Sequence, residues 1–108
     1  MDINKDKTWD DLLIKLQKRF GSDINLKGVL YLIGVQELNK GLKKFSKEDK
    51  VSIFHLAICK LLSNYGYYVF DYVDEDGWPH WKETKALKNL TEKQQESLMK
   101  EAIIEYLN

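Results

Sequence analysis

The stretch 26–40 constrains the fold of this chain more than any other part of it. Read as a helix it is apolar nearly all round, and such a helix cannot lie against water on any side. It must therefore be an inner element that other elements cover. Asp23 or Asn25 is expected to open it and Gly41 to close it. Its most apolar run, 29–35, lies between Lys27 and Glu37 and is far shorter than the roughly 20 residues a membrane span needs, which predicts core rather than bilayer.

Three further segments have the pattern of helices. Trp9, Leu12, Leu13, Leu16 and Phe20 recur on one helical face between Thr8, a suitable cap, and Gly21, a suitable stop. Ser46 with Asp49 three residues on resembles a capping box, and Val51, Phe54, Ile58, Leu61, Leu62 and Tyr65 follow as a broad stripe that ends before Gly66. Thr91 with Gln94 repeats that start for a last helix in which Gln95, Met99, Ala102, Ile103 and Tyr106 share a face. The second and third helices should form the centre, with the first and fourth against them.

Between Gly66 and Leu90 the pattern changes. Residues 67–73 are aromatic and β-branched, and Asp76-Gly77 supplies a turn, so a hairpin is predicted between helices three and four. Its return strand should begin at Trp78 and be short, because Pro79 cannot donate to a ladder and belongs at an edge. A third strand would turn the arrangement into a winged helix, but no segment before helix three has a strand pattern. The expected fold is mainly α: a compact bundle of about four helices with a short β-hairpin or aromatic loop. With 108 residues there is room for one core, and residues 1–108 read as a single helical domain.

Charge and cysteine content narrow the functional classes. Lys plus Arg and Asp plus Glu both number 17, so no whole-molecule field draws the chain to nucleic acid or anionic lipid. Residues 1–7 have no apolar core of a secretory signal, and Cys59, the single cysteine, admits no internal disulfide. Both point to the cytoplasm. The charges are nonetheless lopsided: Lys40, Lys43, Lys44, Lys47 and Lys50 precede or open helix three, whereas Asp71, Asp74, Glu75, Asp76 and Glu83 make the hairpin acidic. Such a run of lysines without interleaved exposed aromatics reads as a solvated face rather than a nucleic-acid site.

Several candidate sites follow. Glu37 shares a helical stripe with Leu26, Leu30 and Ile33, and His55 borders the apolar stripe of helix three, so both are expected to turn inward and form a pair near a small pocket. A hydrogen-bonded core histidine and a glutamate satisfied by Lys40 or Lys44 would explain the same pattern without function. His55 and Cys59, with His80 and Asp74 or Asp76, have ligand types that suit zinc but match no zinc spacing. The run 72–83 approaches a calcium loop, with acids at the third and fifth positions, Gly77 at the sixth and Glu83 at the twelfth, but Tyr72 stands where aspartate is needed. No metal or other cofactor is therefore expected, and no phosphate loop or serine elbow is present.

The densest unusual cluster is the hairpin turn itself, where Trp78, Pro79, His80 and Trp81 follow three acids. Large aromatics in a loop either cover their own core or anchor a partner. The function expected from the sequence is a non-catalytic module that binds a protein partner through this aromatic, acidic hairpin. The alternative is a small ligand-binding protein or enzyme whose pocket lies near Glu37, His55 and Trp78.

Overall fold

Each helix begins where a short polar side chain takes over an unsatisfied backbone N–H. In the computed structural model, which describes residues 8–41, 44–84 and 89–108, Thr8 accepts from the Asp11 N–H at the start of α1 (Trp9–Phe20). Asn25, rather than Asp23, accepts from Gly28 at the start of α2 (Leu26–Leu38). Ser46 accepts from Asp49 to open α3 (Lys47–Ser63). Thr91 and Gln94 make a complete reciprocal capping box for α4 (Glu92–Leu107).

One helix end differs from expectation. α2 stops at Leu38, because Asn39 adopts the left-handed conformation (φ 57°) and returns its N–H to the Val35 carbonyl. Asparagine tolerates that conformation nearly as well as glycine, so the turn closes two residues before Gly41.

The helices enclose two apolar clusters. The larger draws Leu12, Val29, Leu61 and Ile103 from all four helices into one buried core. The smaller lies at the other end of the α2–α3 pair, where Val35, Leu38, Phe45, Ile53 and Leu56 are buried and Trp78 and Trp81 pack against them. The expected arrangement, with α2 and α3 central and a hairpin between α3 and α4, is what the chain adopts. α2 and α3 approach unusually closely at Gly34: a β-carbon there would lie 2.6 Å from Ile53 Cγ2 and nearer still to the Ile53 carbonyl oxygen.

The hairpin consists of β1 (Tyr68–Val73) and β2 (Pro79–Glu83), antiparallel and the only sheet among the described residues. Pairing runs Tyr68 to Glu83, Val69 to Lys82 and Phe70 to Trp81, and then shifts by one, so that Tyr72 faces His80 and Val73 faces Pro79. Asp71 is the extra residue of a β-bulge. Without the shift Tyr72 would lie opposite Pro79 and share the face of Phe70; with it, Tyr72 stacks on His80, ring centroids 4.5 Å apart and planes within 2°. No helix among the described residues is long and apolar enough to cross a membrane.

Candidate functional site

Asp74 organises the hairpin turn. Its Oδ1 accepts the N–H groups of Asp76 and Trp78, both at 2.9 Å, and its Oδ2 lies 2.8 Å from His80 Nε2. Its backbone closes the same loop: the Asp74 N–H donates to the Trp78 carbonyl at 2.9 Å, and the Gly77 N–H donates to the Asp74 carbonyl at 3.0 Å. Gly77 is left-handed (φ 86°), the conformation that a three-residue hairpin loop requires at its last position. The bond from His80, then those from the Trp78 and Asp76 N–H groups, hold the Asp74 carboxyl below its ordinary range.

The sign of that shift gives a prediction. A depressed carboxyl stabilises the turn above the unfolded carboxylate value, near 4, and the contribution is lost as pH falls through the lower folded value. Asp74→Ala should abolish this acid dependence and speed hydrogen exchange at the Asp76 and Trp78 amides toward unprotected rates, with helical circular dichroism unchanged. Protected amides in the variant would show that the backbone alone holds the turn.

The same bonds dispose of calcium. The Trp78 carbonyl, which a calcium loop would aim at the ion, is taken by the Asp74 N–H, and Asp74 already serves three donors. Lys40 donates to the Asp76 carbonyl, and its ammonium lies 5.5 Å over the Trp78 ring, so a cation of the chain itself already occupies the tip. For zinc, Cys59 Sγ lies 3.4 Å from His55 Nε2, but His80 turns to Asp74. No group of three or more metal-ligating side chains is assembled among the described residues.

The predicted pairing of Glu37 with His55 is not made. Glu37 accepts a 2.5 Å hydrogen bond from the Tyr106 hydroxyl and lies 3.9 Å from Lys60 Nζ. Its carboxylate is thus shared between Tyr106 of α4 and Lys60 of α3. His55 is exposed rather than turned into the core, with its ring edge-on to Tyr68 at 6.2 Å. It lines a groove of about 510 Å3 between α3 and the hairpin, together with Asp49, Ser52, Trp78, His80 and Trp81. The structure thus brings His55 together with Trp78, Pro79, His80 and Trp81 and leaves Glu37 out of that groove. The Cys59 thiol beneath His55 keeps its proton at neutral pH: burial, then the charge of Glu83, pushes it up to about 11.

One surface escaped the sequence reading. Both tryptophans lie partly buried against the smaller core cluster, while β1 exposes Val69 (51%), Phe70 (50%), Tyr72 (50%) and Val73 (55%). The exposed apolar residues of the hairpin are therefore those of the first strand, Val69 and Tyr72 on one face and Phe70 and Val73 on the other. Their alternation was too irregular to assign faces, because the bulge at Asp71 breaks the period of two.

Known proteins add nothing to this geometry. The chain matches no family model and has no significant match among curated proteins or solved structures.

Proposed function

We propose that this chain is a non-catalytic module that binds another protein through its hairpin. The observation that carries this reading is that β1 leaves four large apolar side chains at least half exposed, Val69 and Tyr72 on one face of the hairpin and Phe70 and Val73 on the other. Scattered exposed apolar residues are ordinary, but four on one six-residue strand beside an acidic turn are the composition of a contact surface. The tryptophans support it from behind, since Trp81 meets Phe70 edge-to-face at 5.6 Å and Lys40 holds Trp78. A single enclosed cysteine suits a reducing cytoplasmic setting.

The test is affinity capture with the wild type and with Val69→Ser combined with Tyr72→Ser, both of which alter exposed side chains only. Loss of about 2 kcal/mol or more of binding, a thirtyfold weakening, is expected if these residues anchor the contact. Equal recovery of the same partners by the folded variant would remove the proposal.

A second reading has one observation in its favour. The Trp81 indole N–H is enclosed beside the groove and has no hydrogen-bond acceptor among the described residues. An acceptor on a small ligand in the groove would satisfy it, and a buried donor left alone is costly. Under that reading Trp81 and His55 resonances respond to small polar acceptors, and the β1 substitutions leave the response intact.

A further inference from the structure

The hydrogen-bond phase of the hairpin determines which of its two edges is open. Thr84 donates its N–H to the Tyr67 carbonyl at 2.8 Å, which makes Tyr67 and Thr84 a bonded pair. Bonded and non-bonded pairs alternate along an antiparallel ladder. Val69 and Lys82 are therefore bonded, whereas Tyr68 with Glu83 and Phe70 with Trp81 are not. The N–H and C=O groups of Tyr68 and Phe70 consequently point away from β2, and they have no hydrogen-bond partner among the described residues.

The outer edge of β2 is different. Beyond the bulge the bonded contact is that of Asp74 with Trp78, so Pro79 occupies a non-bonded position and presents its missing donor outward. Proline there costs the hairpin nothing and blunts that edge. Among the described residues the edge of β1 has no such block between Tyr68 and Phe70, and the bulge at Asp71 ends the open stretch.

Resting on the reading of the hairpin as a protein contact, we infer that the partner binds as an added β-strand along the outer edge of β1, and that this strand is basic and apolar by turns. Four unpaired backbone groups at spacing two are the template for strand addition. Charge selects the occupant. Within the hairpin Asp71, Asp74, Glu75, Asp76 and Glu83 outnumber Lys82, which lies 4.0 Å from Asp71, and Lys40, which reaches the tip from outside the hairpin. A lysine or arginine of the added strand joins Lys82 beside Asp71 at the end of the open stretch, and an apolar residue lies beside Phe70. A second copy of this chain paired β1 to β1 would set two acidic hairpins side by side, so like-charge repulsion opposes it.

The experiment uses the full chain and a capped peptide of alternating lysine and valine, with hydrogen exchange read residue by residue. At saturating peptide the Tyr68 and Phe70 amides are expected to slow about tenfold or more, while Val69, already bonded to Lys82, changes little. Phe70→Pro, which removes an outward N–H and no ladder bond, abolishes the protection, whereas Phe70→Thr, which keeps the N–H, retains it. A glutamate–valine peptide gives no protection. Absence of protection at Tyr68 and Phe70 overturns strand addition, as does equal protection by the acidic peptide. Slowing confined to Trp78 and His55 also overturns it but leaves the protein-binding reading intact, because the peptide then occupies the groove. Protection in the free chain that rises with protein concentration assigns the edge to a second copy and overturns the basic partner. If β1-dependent capture also fails, the broader reading falls with it.

Discussion

Gly34→Ala should cost about 3 kcal/mol of stability, or more, and lower the melting temperature by some 10 °C or more. Helix propensity alone favours alanine over glycine by nearly ~1 kcal/mol, so the expected sign is set entirely by packing. The added methyl would enter the space of Ile53 Cγ2 at 2.6 Å and, closer still, the Ile53 carbonyl oxygen. A side chain can rotate away, but a helical carbonyl cannot move without its ladder. α2 and α3 must therefore separate, and the buried faces of Val35, Leu38 and Leu56 separate with them. Ile53→Val in the same background should fail to restore stability, because the nearest obstacle is backbone. Gly28→Ala is the control: its nearest neighbour is the Asn25 side chain at 3.7 Å, an ordinary contact, and the propensity gain should appear there. Urea denaturation of the three variants decides the matter, and a Gly34→Ala protein as stable as wild type would refute the close approach.

Alkaline pH should destabilise the fold in two steps. Burial, then the charge of Glu83, raises the Cys59 thiol from 9.0 to about 11, and burial, then Glu105, raises Tyr65 from 10.0 to about 12. Tyr106 is raised as well, by burial and then by its bond to the Glu37 carboxylate, and Tyr68 by burial. In each case the folded group keeps its proton at a pH where the unfolded chain has released it. Their stabilisation is therefore complete below the unfolded values and is lost as pH rises through the folded ones. Loss begins near pH 9 with Cys59, whose shift of two units corresponds to about 3 kcal/mol once fully expressed. The tyrosines extend it above pH 10. Cys59→Ala should flatten the first step. Tyr106→Phe should remove part of the second and, by stripping Glu37 of its donor, cost about 1–3 kcal/mol at neutral pH. Urea midpoints that stay level between pH 8 and pH 11 would contradict both steps.

Helix starts were legible because capping is local chemistry: Thr8, Ser46 and Thr91 each need only a backbone N–H three residues on. The end of α2 was less so, since Asn39 (φ 57°) and Gly41 (φ 75°) are both left-handed and the helix ends at the first of them. The inward turn expected of His55 failed for another reason. A helical stripe has borders, and at its border a residue faces whatever the neighbouring element leaves open, here the groove beside the hairpin. Glu37 was placed on the correct helix face, but periodicity in one helix does not say which other helix lies against that face. Its partner Tyr106 is 69 residues away. The bulge at Asp71 had no local signal at all, and with it went the assignment of Tyr72 and His80 to one face. The aromatic composition of the hairpin was readable; the exposure of its first strand was not.

The base of the hairpin has a consequence for how this fold could change over time. Thr84 reaches the Gly66 carbonyl with its hydroxyl and the Tyr67 carbonyl with its N–H, so the two ends of the hairpin lie side by side. Whatever lies beyond that clasp leaves the two ends of the hairpin together. The segment is in effect a cassette: its length, turn and outward side chains can be rewritten while the helical frame keeps its path. The condition is that two bulky rings remain where Trp78 and Trp81 now cover the smaller cluster. A frame of this kind lets recognition diversify faster than structure.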